Sequence, residues 1–323
     1  MGKEKILTLE LLKFIAALMI TNSHFKPLYP DSISVLGTFG APGNALFFFV
    51  SGYALSLGTL NINGINWYKK RIKRLWPTTL VWNTLLSHLL FGSTLSFASV
   101  WLGGGAWFIH CIAVYYILYY IVRKLNYIKM SIIFSFLFSI IYFFTLLPIS
   151  EYSIYQDDWH YICFFSIMMM GAYCAIYRNE IHSNKILKNL FIALVSFVSF
   201  YVLQMIGKGK EAPLYYVQVI SLLPLHTFIY YFYKVVDMDW CIKLMSIKVV
   251  KYLIMSIAAL TLEIYLVGFG FINTDFNHLF PLNLLIVFGG ICIQAYVLKV
   301  LTNLFVQFLD DGCFDLKKVL RLF

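Results

Sequence analysis

Charge is scarce in this chain. Asp, Glu, Lys and Arg together supply 12% of its 323 residues, while 61% are hydrophobic. A soluble domain carries about twice that charged fraction, so an ordinary soluble enzyme is excluded and a polytopic membrane protein is indicated. Acidic residues are the scarcest charges, 15 against 25 Lys and Arg. The resulting excess of positive charge does not indicate nucleic-acid binding, because the basic residues lie between apolar stretches rather than on a soluble face. The six cysteines are scattered, with no C-x-x-C or other metal-ligand spacing, and most read as small buried hydrophobes. There is no internal repeat, and no matched pair of broken helices of the kind that marks inverted-repeat transporters. Nor is a cleavable signal peptide expected. The first apolar run follows MGKEK directly, contains Glu10 and Lys13, and has no small-residue cleavage site.

What is present is a series of apolar runs long enough to cross a bilayer as helices. Ten are expected, near 6–25, 41–60, 76–93, 106–125, 130–148, 159–177, 187–206, 214–233, 250–272 and 279–306. The fold class is therefore all-α, one integral-membrane domain over residues 1–323 with about ten transmembrane helices. Aromatics at 19% suit interfacial belts. The N-terminal segment, 61–75, 123–129, 178–188, 234–251 and the C-terminal segment carry 20 Lys and Arg, whereas the alternate loops hold only Lys26, Lys208 and Lys210. That asymmetry predicts both termini in the cytoplasm.

Lys13 and His24 share the first run, eleven residues apart. At about 100° per residue they return to within roughly 20° of one helix face, about 16 Å apart along the axis. A cation and an imidazole on one stripe of a membrane helix are costly and suggest function. The bland alternative places both near helix ends, with Lys13 snorkelling. His24 is the residue of this helix suited to general-base work, and Asn22 and Ser23 beside it add hydrogen-bonding capacity. Glu10 and Lys13 are three apart and can pair. The stretch 69–74 packs five cations into six residues. It is either a plain topology signal or a cradle for anionic lipid headgroups or an anionic nucleotide. If helical, it puts Arg71 and Arg74 on one face. Helix three is expected to start at Trp76-Pro77. Around Ser51 and Tyr53, FFFVSGY mixes aromatics with Gly52, and residues alone favour helix packing there. Glu263 lies deep in an apolar run with no neighbouring cation in sequence, a functional candidate. For His88, His110, His160 and His226 a satisfied or interfacial role outweighs a catalytic one. On the outer face, Gly103-Gly104-Gly105 leads into Trp107, and the loop with Glu151, Asp157 and Asp158 has no Lys or Arg.

In order along the chain, these segments resemble the bacterial integral-membrane acyltransferases of acyltransferase family 3. The family's (D/E)-L-L-(K/R)-G-I-A pattern followed by a histidine is similar to Glu10 through Ala16 and His24. Its FF-[VI]-SG-[YF] segment resembles Phe48 through Tyr53. The basic run closing at Pro77, the Trp107-Phe108-Ile109 start of a Tyr-rich helix, and Thr261 through Val267 match three further motifs. Lys13 stands where many members have Arg, Phe14 replaces a glycine, and Gly268 occupies the place of a common histidine, leaving His24 with more of the burden.

The resemblance implies transfer of an acyl group, usually acetyl from acetyl-CoA, to a hydroxyl of a cell-surface or lipid-linked polysaccharide in a bacterial inner membrane, with no metal. It assigns His24 and Glu263 to catalysis, and Lys13, Arg71, Arg74, Ser51 and Tyr53 to the CoA donor. Asn22, Trp107 and Asp158 fall to the acceptor side. The expected partners are membrane lipid and the glycan acceptor. Two alternatives stand beside this reading: a carrier or flippase for a lipid-linked glycan, and a non-catalytic family member that binds glycan.

Overall fold

The apolar runs become helices because a hydrocarbon environment leaves backbone polar groups no partner except one another. In the computed structural model, residues 3–58, 63–86, 88, 92, 107–149, 152–182, 185–309 and 314–322 are described, and among them there is no strand. In chain order the helices are α1 (Lys3–His24), α2 (Gly40–Ser56), α3 (Gly64–Val81), α4 (Trp107–Leu125), α5 (Ile128–Leu146), α6 (His160–Ile176), α7 (Ile186–Gly207), α8 (Leu222–Val236), α9 (Asp239–Ser246), α10 (Lys248–Ala259), α11 (Thr261–Gly268), α12 (Leu282–Leu309) and α13 (Leu316–Val319). Single turns at Arg178–Ile181 and Val217–Ile220 lie between them. Gly103, Gly104, Gly105, Glu151, Cys313 and, within 76–93, residues 87, 89–91 and 93 lie outside the described residues.

Helical structure falls on each of the ten expected stretches. Among the described residues, six helical segments are long and apolar enough to cross a membrane: Asp31–Ser56, Trp107–Leu125, Ile128–Leu146, Ile186–Gly207, Leu214–Val236 and Leu282–Leu309. A seventh results if the bent pair Lys248–Ala259 and Thr261–Phe271 counts as one span. α6 is apolar but shorter. The lipid-like faces are visible in what the helices leave open: α5 exposes Ile133, Phe134, Leu137 and Phe138, and α7 exposes Leu187, Phe191 and Leu194.

Two expectations about element boundaries are corrected. α3 starts at Gly64 rather than Trp76, capped by the Asn63 side chain, which accepts from the Ile65 amide at 3.1 Å. Pro77 therefore sits inside the helix, and a π-helical turn at Trp82–Leu86 follows it. Placing the start earlier puts the whole basic stretch 69–74 on a helix. The run 250–272 is not one straight helix either. It bends by 60° between α10 and α11. There the Leu260 amide bonds the Ile257 carbonyl at 3.1 Å, a tightened turn, and the Thr261 hydroxyl donates to the Ala258 carbonyl.

The chain forms two compact units, with boundaries inside α1, α2 and α4. The first comprises residues 1–12, 44–61 and 118–247. In it α5 pairs with α6 and α7 with α8, around buried Phe48, Phe164, Met168 and Leu225. The second comprises 13–43, 62–117 and 248–323. Its core joins Phe25, Val81 and Trp82 to Leu260, Ile264 and Val267 of α11 and to Val287, Ile291, Ala295 and Leu298 of α12. The α12 spacing of four, four and three is one helical stripe.

Within the first unit the FFFVSGY segment is a backbone contact. A Cβ on Gly52 would lie 1.8 Å from the Met168 carbonyl oxygen, and one on Gly171 2.0 Å from the Phe49 oxygen. Two glycines on facing helices thus let α2 and α6 touch main chain to main chain. Because the obstacle is backbone, Gly52→Ala is expected to force the helices apart at a cost of about 3 kcal/mol. A lower melting temperature in detergent would show it; unchanged melting would contradict the close approach.

Candidate active site

His24 ends α1, and the residues around it are built to fix that end. Phe25 is buried in the core beneath. The chain then turns back through short 3-10 segments at Lys26–Leu28 and Asp31–Leu36. Asn22 ties this return loop down: its amide donates to the Leu36 carbonyl at 2.7 Å and the Thr38 carbonyl at 3.1 Å, and its side-chain oxygen accepts from the Tyr29 hydroxyl at 2.7 Å. Burial pushes the Tyr29 phenol upward in pKa, so it remains the donor. The loop is equally held from the start of α12. Asn277 donates to the Pro27 carbonyl at 2.9 Å and Asn283 to the Leu28 carbonyl at 2.8 Å. Gly37 is required by packing, since a Cβ there would meet the Lys26 main chain at 2.5 Å, and Phe39 closes the loop at a positive φ of 84°.

Inside this frame His24 is half-buried. Its ring meets Phe269 edge-on at 5.9 Å between centroids, and among the described residues no hydrogen bond occupies either ring nitrogen. It is thus a held imidazole with open nitrogens, the state a base needs to meet a hydroxyl. Phe269 directly follows Gly268, where a Cβ would meet nothing within 4 Å. The missing family histidine is therefore not excluded by packing.

Asn22 uses both its donors and its acceptor on the loop, which makes it a positioning residue rather than a free substrate ligand. Asn22→Ala is expected to cost about 1–3 kcal/mol and to speed protease cleavage within 26–36. Mass mapping of limited digests reads this, and an unchanged cleavage pattern would refute the clamp.

Lys13 lies half-buried eleven residues earlier on the same continuous helix, and neither it nor Glu10 is without a partner. On α3 the Arg71 guanidinium lies over the Trp67 ring, 4.8 Å from its centroid. Trp67 meets Tyr116 edge-on at 6.3 Å, and Tyr116 feels the charges of both Arg71 and Arg74. This is a planar cation fixed on an indole with a second guanidinium one turn on, an arrangement suited to phosphate. Trp107 begins α4, next to Phe108, which tilts onto Tyr265 of α11 at 5.5 Å.

Glu263 is not alone. It is 1% exposed and its carboxylate accepts from Lys299 of α12 at 3.0 Å. Lys299 is the residue that sequence reasoning passed over. The signal was available: one acid and one base, each stranded in an otherwise apolar run.

Seven of the ten candidate residues fall in the second unit: Lys13, Asn22, His24, Arg71, Arg74, Trp107 and Glu263. Ser51, Tyr53 and Asp158 fall in the first. Ser51 donates back to the Phe47 carbonyl at 2.9 Å. Tyr53 is 1% exposed against Phe49 and Tyr233, and Asp158 is exposed. The first unit also holds an unforeseen polar centre. Arg178 grips Asp237 with Nε and Nη2, at 2.6–3.1 Å, and Asp237 further accepts from Thr8 and Tyr233, both at 3.2 Å. Among the described residues no group of three His, Cys, Asp or Glu side chains could hold a metal ion.

A family model described as an acyltransferase domain matches residues 6–305 of the chain. No curated protein and no solved structure matches it. With helices long and apolar enough to span a bilayer and a match over nearly its whole length, the chain belongs to acyltransferase family 3 and is a multi-pass membrane acyltransferase.

Proposed function

We propose that this membrane acyltransferase moves acetyl from acetyl-CoA on the cytoplasmic side of a bacterial inner membrane to a hydroxyl of a cell-surface or lipid-linked polysaccharide. The observation that carries the reading is the held, unoccupied imidazole of His24 in the same unit as the Arg71–Trp67 pair. The anionic donor meets Arg71 and Arg74, with Lys13 further along the path, through charge-assisted contacts to its phosphates. Trp107 contributes an aromatic surface for a sugar. His24 takes the proton of the acceptor hydroxyl, whose oxygen attacks the thioester carbonyl. The carbon–sulfur bond breaks, the sugar ester forms, and the departing CoA thiolate takes up a proton. Asn22 orients the helix end that carries the base, and Glu263 braces the helix beside it.

The test uses purified protein in detergent with acetyl-CoA and de-O-acetylated lipid-linked oligosaccharide as acceptor. Free CoA should rise only when acceptor is present, and mass spectrometry should find the acetyl ester on the oligosaccharide. Movement of the oligosaccharide across vesicles without any CoA release would instead establish the carrier reading.

A further inference from the structure

The first unit has a second cationic feature, built from residues not assigned above to the reaction. At the end where α5 and α7 begin and α6 and α8 finish, two lysines are held over tyrosine rings. The Lys129 ammonium lies 4.8 Å from the Tyr177 centroid and 5.7 Å from that of Tyr173. The two rings are themselves 4.7 Å apart. Lys234 repeats the arrangement, 5.1 Å from Tyr230 and 5.8 Å from Tyr231. The halves belong to one patch, since Tyr173 and Tyr230 interact electrostatically, and the charge of Lys188 on α7 also bears on Lys234.

We propose that this patch binds the phosphate of an anionic phospholipid headgroup, with Lys129 and Lys234 as its ligands. A ring face steers an ammonium group but accepts none of its three N–H donors in the way a carboxylate would. Arg178 and Lys299 are paired with carboxylates; among the described residues Lys129, Lys188 and Lys234 are not. The like charges of Lys188 and Lys234 repel one another, and an anion between them removes that cost. The surroundings select a lipid over a soluble anion. Directly beside the lysines, α5 exposes Met130, Ile133 and Phe134, and α7 exposes Leu187, Leu190 and Phe191. Acyl chains cover such a surface while the phosphate meets the ammonium groups, and tyrosine sits naturally at headgroup depth. The basic end is also the one the charge split assigns to the cytoplasmic leaflet, where anionic lipids attract lysine.

Full-length protein is purified in neutral detergent and offered mixed micelles of phosphatidylglycerol or of phosphatidylcholine with the same chains, and retained lipid is read by native mass spectrometry. The wild type should retain phosphatidylglycerol preferentially. Lys129→Gln/Lys234→Gln should weaken that retention about 30-fold, the factor from about 1 kcal/mol for each lysine. Lys129→Arg/Lys234→Arg should keep it. Lys129 is exposed, so Lys129→Gln alone leaves the fold intact and should weaken retention about fivefold. Equal retention of the two lipids, undiminished retention by the Gln variants, or displacement of phosphatidylglycerol by equimolar inorganic phosphate would each overturn the proposal.

Discussion

His24→Ala is expected to lower acyl transfer by at least about 100-fold while leaving the protein folded and in the membrane. The size follows from the loss of a positioned general base, typically worth 10²–10⁴-fold. Folding should survive because the side chain contributes little to packing: its aromatic contact is one edge-on meeting with Phe269, worth about 0.5–1.5 kcal/mol. Everything that shapes the loop, from Phe25 in the core to the Asn22, Asn277 and Asn283 hydrogen bonds, is untouched by the substitution. His24→Gln sharpens the test, since an amide keeps hydrogen-bonding capacity but cannot take a proton near neutral pH. Both variants should fail alike in ester formation at matched membrane levels. His110→Ala is the control. That imidazole also lies in the second unit, with a buried Nε2 that has no partner among the described residues, but a hydroxyl could reach it only by burying itself too. Transfer within about threefold of wild type in His24→Ala, read against the 10²-fold expectation, would remove His24 from the mechanism, and a loss in His110→Ala alone would move the role there.

The helices were legible because their cause is local. A run of apolar residues has to satisfy its backbone internally whatever surrounds it, so the expected stretches other than 76–93 fall on helical structure within a few residues. The failures were failures of the same local logic. Pro77 reads as a first-turn residue until Asn63 is seen capping the chain upstream, and an Asn-Gly-Ile stretch looks like loop rather than cap and helix start. The bend at Leu260 has no proline or glycine to announce it; a threonine hydroxyl that takes the Ala258 carbonyl does the work. At the site, His24 was legible from its chemistry, whereas the job of Asn22 was not. Its partners are backbone carbonyls 14 and 16 residues away, positioned by a return loop that no periodicity describes. Gly52 was readable as a packing residue, but its partner in α6 was not. Contacts between elements are set by tertiary packing, and the distance from Arg178 to Asp237, 59 residues in sequence, is of the same kind.

Glu263 and Lys299 yield the second large effect, and the one that separates bracing from chemistry. Each is a single charge in an apolar helix, 36 residues apart in sequence and joined at 3.0 Å. The pair stands just after the 60° bend, where Ile264 and Val267 of α11 share a core cluster with Ile291 and Leu298 of α12. Removing one partner strands the other charge in a low-dielectric setting. Glu263→Leu and Lys299→Met should therefore each destabilise the protein by about 3 kcal/mol, the lower end for buried pairs because the lysine side chain remains 26% exposed. The double variant Glu263→Leu/Lys299→Met should recover most of that loss, since an apolar pair of similar volume often replaces a buried ion pair at little cost. Unfolding midpoints in mixed detergent give the cycle, and acyl transfer at matched protein levels gives the second axis. A brace predicts that stability and transfer return together in the double variant, because only the α11–α12 contact matters. A carboxylate that handles protons predicts recovery of stability with transfer still lost. The salt bridge favours the brace: Lys299 occupies the carboxylate at 3.0 Å, and a substrate would have to displace that cation to reach it.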